Sequence, residues 1–286
     1  MAMRNIRNPL EWGWDNMKVA AHGVGAASHT IHHANVGPIT VRRITAQDIA
    51  ESLRRGFRDF MAYRTDVVVL CLIYPIAGLV LARATAGTDL LPLLFPLASG
   101  FALIGPVAAM GLYEMSRRAE RGEIVSWATA FRIARSPSFG AIFALSLVML
   151  AIFVLWLMLA WGIYDQTLGP ESPGSISQFA RDVVMTPAGR MMIVVGFAVG
   201  FVFAIVSFAI SVVSFPLLLD RDVGVDTAIR TSVRAVMANP GPMALWGFIV
   251  AAGLMLGSLP LFLGLIVVIP VLGHATWHLY RRTIVA

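Results

Sequence analysis

Apolar residues along this chain gather into five long runs that contain no Asp, Glu, Lys or Arg: 67–82, 90–113, 140–164, 191–219 and 243–276. Runs of this length, without alternation of apolar and polar positions, are the pattern of helices solvated by hydrocarbon. The last run, as one helix, would reach roughly 50 Å, well beyond a bilayer core of about 30 Å. Gly257-Ser258-Leu259-Pro260 offers a break, with a sixth span running from about Pro260 to Tyr280. The pattern predicts an all-α polytopic membrane protein with six transmembrane helices arranged as three hairpins.

The polar stretches between the runs have a different periodicity. In IAESLRRGFRDFMAYRTD, Ile49, Leu53, Phe57, Phe60 and Arg64 share one helical face. In GVDTAIRTSVRAVMANPGP, Val225, Ile229, Val233, Val236 and Met237 do the same. Together with IVSWATAFRIARSPSFG these read as amphipathic helices lying at the cytoplasmic interface, one before each hairpin. Aligning Arg58 with Arg234 places Phe57 over Val233, Met61 over Met237 and Ala62 over Ala238. Thr45-x-x-Asp48 caps the first helix, with Ile44 and Ile49 placed as a staple. Ser136-Pro137 and Asn239-Pro240 end the second and third. GPVAAMGLYEMSRR and IPVLGHATWHLYRR each carry a proline eleven residues before an arginine pair, Pro106 to Arg117 and Pro270 to Arg281. The chain reads as three copies of one unit, an interfacial helix followed by a hairpin. Residues 1–44 read as a largely flexible cytoplasmic leader and 45–286 as the transmembrane domain.

Composition agrees with this solvent: 58% of the 286 residues are hydrophobic and 13% charged, about half the charge of a soluble domain. The formal charge of +6 would suggest nucleic acid in a soluble protein, but here the bilayer accounts for it. Nine Lys and Arg precede the first run, five lie between the second and third, three between the fourth and fifth, and two after the sixth span. The alternate loops hold only Arg83, Arg181 and Arg190. This bias puts both termini in the cytoplasm. No signal-length apolar run precedes the first span, so that span is expected to direct insertion. The lone Cys71 lies inside the first run and reads as a packing residue.

Candidate chemistry is sparse. His274 and His278 stand at i and i+4, a spacing that can chelate a metal. No Glu accompanies them as in HExxH, and Trp277, Tyr280, Arg281 and Arg282 beside them read as the aromatic and cationic belt of a membrane boundary. His22, His29, His32 and His33, with Trp12 and Trp14, lie in the leader. Loose metal binding, or contact of the tryptophans with the interface, is the most these six suggest. The spans hold no mid-membrane ionisable residue of the kind that coupled transporters use, and no nucleophile–base pair or cofactor set. Gly196, Gly200, Ala204, Ser207 and Ser211, and Gly253 with Gly257, form small-residue stripes suited to close helix packing. Glu114 and Arg118 fit a helix-surface ion pair, Asp220-Arg221-Asp222 a solvated loop start, and the outward loop 165–190 a turn-rich polar segment. Arg54, Arg55, Arg58, Arg117, Arg118, Arg281 and Arg282 are placed to meet anionic lipid headgroups.

The segments GFALIGPVAAMGLYEMSRRAERGE, SFPLLLDRDVGVDTAIRTSVRAVMANPGPMALWG and LPLFLGLIVVIPVLGHATWHLYRR resemble an uncharacterised prokaryotic membrane family, domain of unknown function 2189, over roughly Asp48 to Arg282. The resemblance implies an integral protein of the inner membrane and carries over no catalytic residue. Some relatives are likened to cytochrome c oxidase subunit I, but the several helix-borne histidines that hold haem and copper in an oxidase are absent here. More distantly, the three-hairpin pattern is similar to the membrane region fused to some glycerophosphodiester phosphodiesterases.

Together these features lead to the expectation of a non-enzymatic accessory, scaffold or assembly component without a cofactor. Its expected partners are the bilayer with anionic headgroups and other membrane subunits. The alternatives are a transporter or channel for a neutral or apolar solute and, more remotely, metal or haem handling through His274 and His278.

Overall fold

The computed structural model describes residues 39–85, 90–101, 103, 105–126, 128–130, 133, 136–169 and 173–285. His22, His29, His32, His33, Trp12 and Trp14 lie outside them. The described chain is all-α apart from a two-residue antiparallel pair at its ends. Strand β1 (Thr40–Val41) pairs with β2 (Ile284–Val285) in the register Thr40 to Val285 and Val41 to Ile284. The segment from residue 39 to the first helix is thereby part of the fold: Ile44 is buried, and its N–H donates to Asn239 Oδ1 at 2.7 Å.

Helix α1 (Ala46–Ala62) begins at the capping box that the sequence announces, with Thr45 and Asp48 each satisfying the other's backbone. It stops at Tyr63, where the chain bends by 91° into α2 (Arg64–Cys71) and α3 (Ile73–Thr85). Pro75 has no N–H to give to the Cys71 carbonyl, which accounts for the interruption at Leu72. The second apolar run is not one straight helix. After a 3-10 turn (Leu91–Leu93) it divides into α4 (Leu94–Phe101), α5 (Gly105–Ala108) and α6 (Met110–Glu120), with Pro106 in the broken stretch.

Two long helices follow, α7 (Phe139–Thr167) and, after α8 (Ile176–Met185), α9 (Pro187–Ser211), which continues with a slight break into α10 (Ser214–Asp220). Helix α8 corrects the expectation of a turn-rich loop between residues 165 and 190. Ser175 caps it by accepting from the Gln178 N–H, and Phe179 packs edge-on against Tyr164. Helices α11 (Val225–Ala238), α12 (Pro240–Ser258) and α13 (Leu265–Thr283) complete the chain. The break expected near Pro260 is present but longer, and the last helix starts at Leu265. Of the interfacial segment 124–140, only 128–130 forms a described helical turn, and residues 127, 131, 132, 134 and 135 lie outside the described set.

Among the described residues, three helical segments are long and apolar enough to cross a bilayer: Phe139–Thr167, Pro187–Asp220 and Pro240–Ser258. The bent pair of α1 with the helix after it would make a fourth. Large apolar side chains cover the outer faces of α7 and α9, including Phe143, Leu150, Met158, Val194, Phe197 and Phe201, all exposed. Hydrocarbon rather than water suits such faces. The densest core lies at one end of the bundle, where Met115, Phe215, Leu217, Trp246, Trp277 and Tyr280 are fully buried among α6, α10, α12 and α13.

Helix α1 closes this end by lying against α13. A Cβ built on Gly56 would sit 2.5 Å from the Ala275 backbone nitrogen and 2.7 Å from the Val271 carbonyl oxygen, so only glycine permits the approach. Similar small-residue contacts recur. A Cβ on Gly111 in α6 would stand 2.8 Å from the Ala130 Cβ, and the Ser232 hydroxyl of α11 accepts from the Val213 N–H at 3.2 Å. Gly56→Val is therefore expected to lower stability by about 1–3 kcal/mol or more, read as a fall in thermal midpoint in detergent. Gly241→Ala, where a Cβ meets nothing within 4 Å, should leave the midpoint unchanged; equal effects would contradict the packing.

Candidate functional site

The polar residues that the apolar runs exclude converge where α1, α6, α10 and α13 meet. Asp59, near the end of α1, is the hub. Its Oδ2 accepts from the Ser116 hydroxyl at 2.7 Å and lies 2.8 Å from His278 Nε2. Ser116 Oγ is in turn 2.8 Å from His274 Nδ1. One proton assignment satisfies all three bonds: His274 Nδ1–H donates to Ser116, Ser116 donates to Asp59, and His278 Nε2–H donates to Asp59. Beyond His278, Nδ1 faces Glu120 at 3.6 Å, and Glu120 pairs with Arg281 at 3.2 Å. Asp220, the last residue of α10, accepts from the Tyr280 hydroxyl at 2.8 Å and from Arg281 at 3.3 Å.

A second group ties the start of α1 to the end of the chain. Asp48 accepts from the Thr45 N–H at 2.9 Å, from Arg42 at 3.2 Å and from Arg282 at 2.7 Å. Asn239 joins α11 to the same place, donating to the Arg42 and Ala235 carbonyls at 3.1 and 3.0 Å. The residue expected only to stop a helix is thus a buried bracket. A third group lies within α6. Buried Glu114 receives Arg117 at 2.8 Å and Arg118 at 2.7 Å, and Arg117 also donates to the Leu219 carbonyl at 2.6 Å.

These positions revise several expectations. Trp277 and Tyr280, 1% and 2% exposed, face the protein interior and form no headgroup belt. The face of α13 that carries them is covered by neighbouring helices. Arg117, Arg118 and Arg282 are drawn inward to carboxylates rather than outward to lipid. The Glu114–Arg118 pair exists but is buried, and Asp220 is a hydrogen-bonded helix end rather than a solvated loop. Arg54, Arg55 and Arg58 do point outward, around Glu51.

His274 and His278 share a face as expected, but Ser116 takes His274 Nδ1 and Asp59 takes His278 Nε2, leaving His274 Nε2 and His278 Nδ1 buried without a hydrogen-bond partner. Among the described residues no group of three or more His, Cys, Asp or Glu is arranged to hold a metal ion. Of the small-residue stripes, Gly200 packs on Trp156, Gly253 on Val268, Gly257 on Leu265, and Ser207 and Ser211 are buried. Gly196 faces open space and Ala204 is exposed. Asp59 on α1, and Ser116 and Glu120 four residues apart on α6, gave no local signal of their pairing because the partners they meet lie 57 to 219 residues away or on another helix. The available signal was that Asp59 follows Gly56 by three residues, within a turn of the close contact.

The family comparison supports the membrane assignment. Residues 94–220 match the family described as predicted integral membrane protein, domain of unknown function 2189. The match covers the middle of the chain, less than the span from Asp48 to Arg282 that the resemblance suggested, and it agrees with the apolar character of α7 and α9. No curated protein and no solved structure matches the chain.

Burial alone would raise the Asp48 carboxyl, but the bonds from the Thr45 backbone, Arg282 and the Thr45 hydroxyl, with the charge of Arg42, outweigh it and hold it below its ordinary 3.8. For Asp59 burial is likewise outweighed by His278 and Ser116, and the carboxyl is held low. A depressed carboxylate contributes stability that is complete above its unfolded-state pKa and is lost as pH falls through the folded value. The thermal midpoint should hold at pH 5 and fall below about pH 4, with a shallower acid slope in Asp48→Asn. In a double-mutant cycle, Asp59→Asn and His278→Gln should couple by about 1 kcal/mol or more. Additive effects would mean the pair contributes nothing.

Proposed function

We propose that this protein is a non-enzymatic accessory or scaffold component embedded in the bacterial inner membrane. One observation carries the reading: the ionisable groups at the end of the bundle are spent on one another. Asp48, Asp59, Glu114, Asp220 and His278 each find partners on α1, α6 or α13, while α7 and α9 turn apolar faces outward. An arrangement of this kind holds helices in register rather than presenting reactive groups to a substrate. The outer face of α9, with Met191, Val194, Phe197 and Phe201 exposed beside the open Gly196, suits a neighbouring transmembrane helix of another subunit.

The pairing of β1 with β2 bears on topology. Residues 40 and 285 are hydrogen-bonded neighbours, so both lie on the same side of the bilayer and the number of crossings between them is even. Three clear spans are odd, and at least one further crossing must come from α2–α3, the broken second run or α13. Six crossings with both ends cytoplasmic satisfies this parity and the arginine bias.

Three small-residue junctions support a threefold repeat. Gly56-Phe57-Arg58, Ala130-Phe131-Arg132 and Ser232-Val233-Arg234 are equivalent in the leading segments. Ala275 and Gly111 meet the first two, and Val213, next to the equivalent position Ser214, donates its N–H to Ser232. Each leading segment then packs on the returning helix of the preceding unit, and the first closes on the last. The repeat also supports a second reading, a pathway for a neutral or apolar solute enclosed by the three units.

Reporter fusions at both termini are expected to be active only in the cytoplasm, and one in the segment 169–175 only outside. Purification in mild detergent after crosslinking should recover a hetero-complex; monomer alone would remove the scaffold reading. Solute flux in proteoliposomes would favour the pathway instead.

A further inference from the structure

Helices α1 and α11 each bury one face and leave the other open, and the open faces match. On α1, Ile49, Ser52, Gly56 and Phe60 are buried, while Arg54, Phe57, Arg58 and Met61 are exposed. On α11, Ala228, Thr231, Ser232 and Ala235 are buried, while Arg230, Arg234 and Met237 are exposed. At one constant offset Arg54 corresponds to Arg230, Arg58 to Arg234 and Met61 to Met237. The side chains of Arg54, Arg58 and Arg230 are 76%, 61% and 75% exposed, and Met237 is 75% exposed. Each stripe ends where an apolar segment begins: α1 gives way to α2 at Arg64, and α11 to α12 at Pro240.

We propose that these two faces form a paired binding surface for the headgroups of anionic phospholipids in the leaflet the hairpins enter. The inference rests on the reading above that α1 and α11 lie at the cytoplasmic surface of the membrane. Guanidinium groups pair with phosphate by two parallel hydrogen bonds, and arginines on an interfacial helix sit at headgroup level with apolar neighbours directed below them. Phe57, Met61 and Met237 supply that apolar component next to the arginines. An acidic protein surface would satisfy the charge but leave these three side chains without an apolar environment. Glu51 partly neutralises the α1 stripe, and Asp226 pairs with Arg230 at 2.8 Å. Arg58 with Arg55 on one helix and Arg234 on the other keep both faces cationic. The surface is narrower than the seven arginines expected from the sequence, because Arg117, Arg118 and Arg282 are already held by Glu114 and Asp48.

The test uses the full chain in neutral detergent, titrated with fluorescent phosphatidylglycerol and, separately, phosphatidylcholine. The wild type is expected to bind phosphatidylglycerol at least tenfold more tightly. Each arginine contributes about fivefold at most, so Arg54→Gln with Arg58→Gln should lower the preference by about threefold. Adding Arg230→Gln and Arg234→Gln should abolish it. The four Arg→Lys changes, which keep the charge but lose the paired hydrogen bonds, should retain only part of it, and Arg190→Gln should leave it intact. Equal binding of the two lipids by the wild type, or an undiminished preference in the quadruple Gln variant, would overturn the proposal. So would loss of a co-purifying acidic protein from that variant with lipid preference intact. Phe57→Cys in a Cys71→Ser background, probed with an impermeant maleimide in inverted vesicles, tests the underlying placement separately. Labelling there without a lipid preference sinks the lipid surface alone; labelling only from the opposite side sinks the cytoplasmic placement itself.

Discussion

Everything at the polar end of this molecule depends on how closely α1 approaches α13. Gly56 lets the α1 backbone come to rest against the Ala275 amide and the Val271 carbonyl, a separation at which no Cβ can be accommodated. Only at that separation does Asp59, one turn further along α1, reach both His278 and Ser116, and Asp48 at the other end reach Arg282. Steric permission comes first and electrostatics follows from it. The contact also fixes the ends of the chain, since β1 and β2 flank the same two helices.

Burying so many charges among apolar helices is costly unless each is paired and its remaining hydrogen-bonding capacity is filled. The cluster meets the first condition by sharing, while His274 Nε2, His278 Nδ1 and Arg282 Nε stay buried without a hydrogen-bond partner among the described residues. Asp59 takes two donors on one oxygen, Asp220 takes Tyr280 and Arg281, and Glu114 holds two arginines from its own helix. Location matters as well. The groups lie where the apolar segments end, so the desolvation each suffers is that of a packed protein interface rather than of mid-membrane hydrocarbon. The charge-free runs and the dense polar end are two consequences of one rule.

The apolar runs, the cap at Thr45, the stop at Asn239-Pro240 and the break after Ser258 were legible because each is a local pattern. A capping box spans four residues, and a hydrocarbon-solvated helix announces itself by composition. Interruptions within the first two runs were less visible, since Pro75 and Pro106 stop a helix only where neighbours do not re-satisfy the freed carbonyls. The facing of α13 was not legible at all. Trp, Tyr and Arg beside a membrane boundary have the same composition whether they turn to headgroups or to other helices. Here Asp220 and Asp48, 60 and 234 residues away, decided the matter. The i, i+4 spacing does put His274 and His278 on one face, but the acceptors they meet, Asp59 and Ser116, belong to α1 and α6.

On the three-unit reading, the polar cluster also has a reason for being where it is. Two of the junctions join segments close in sequence, as Val213 and Ser232 are, 19 residues apart. The third joins Asp59 to His278 across 219 residues. For a flexible chain, closing the longer loop costs about 2 kcal/mol more than closing the shorter. A buried hydrogen bond to a charged group contributes about 1.5–3 kcal/mol, so the Asp59–His278 and Asp48–Arg282 bonds offset that difference. At the positions of His274 and His278 the other returning helices carry Met110 with Glu114, and Val213 with Leu217. Among the described residues, the junction closed through space rather than by a short connection is the one where charged partners cross between the leading and returning helices.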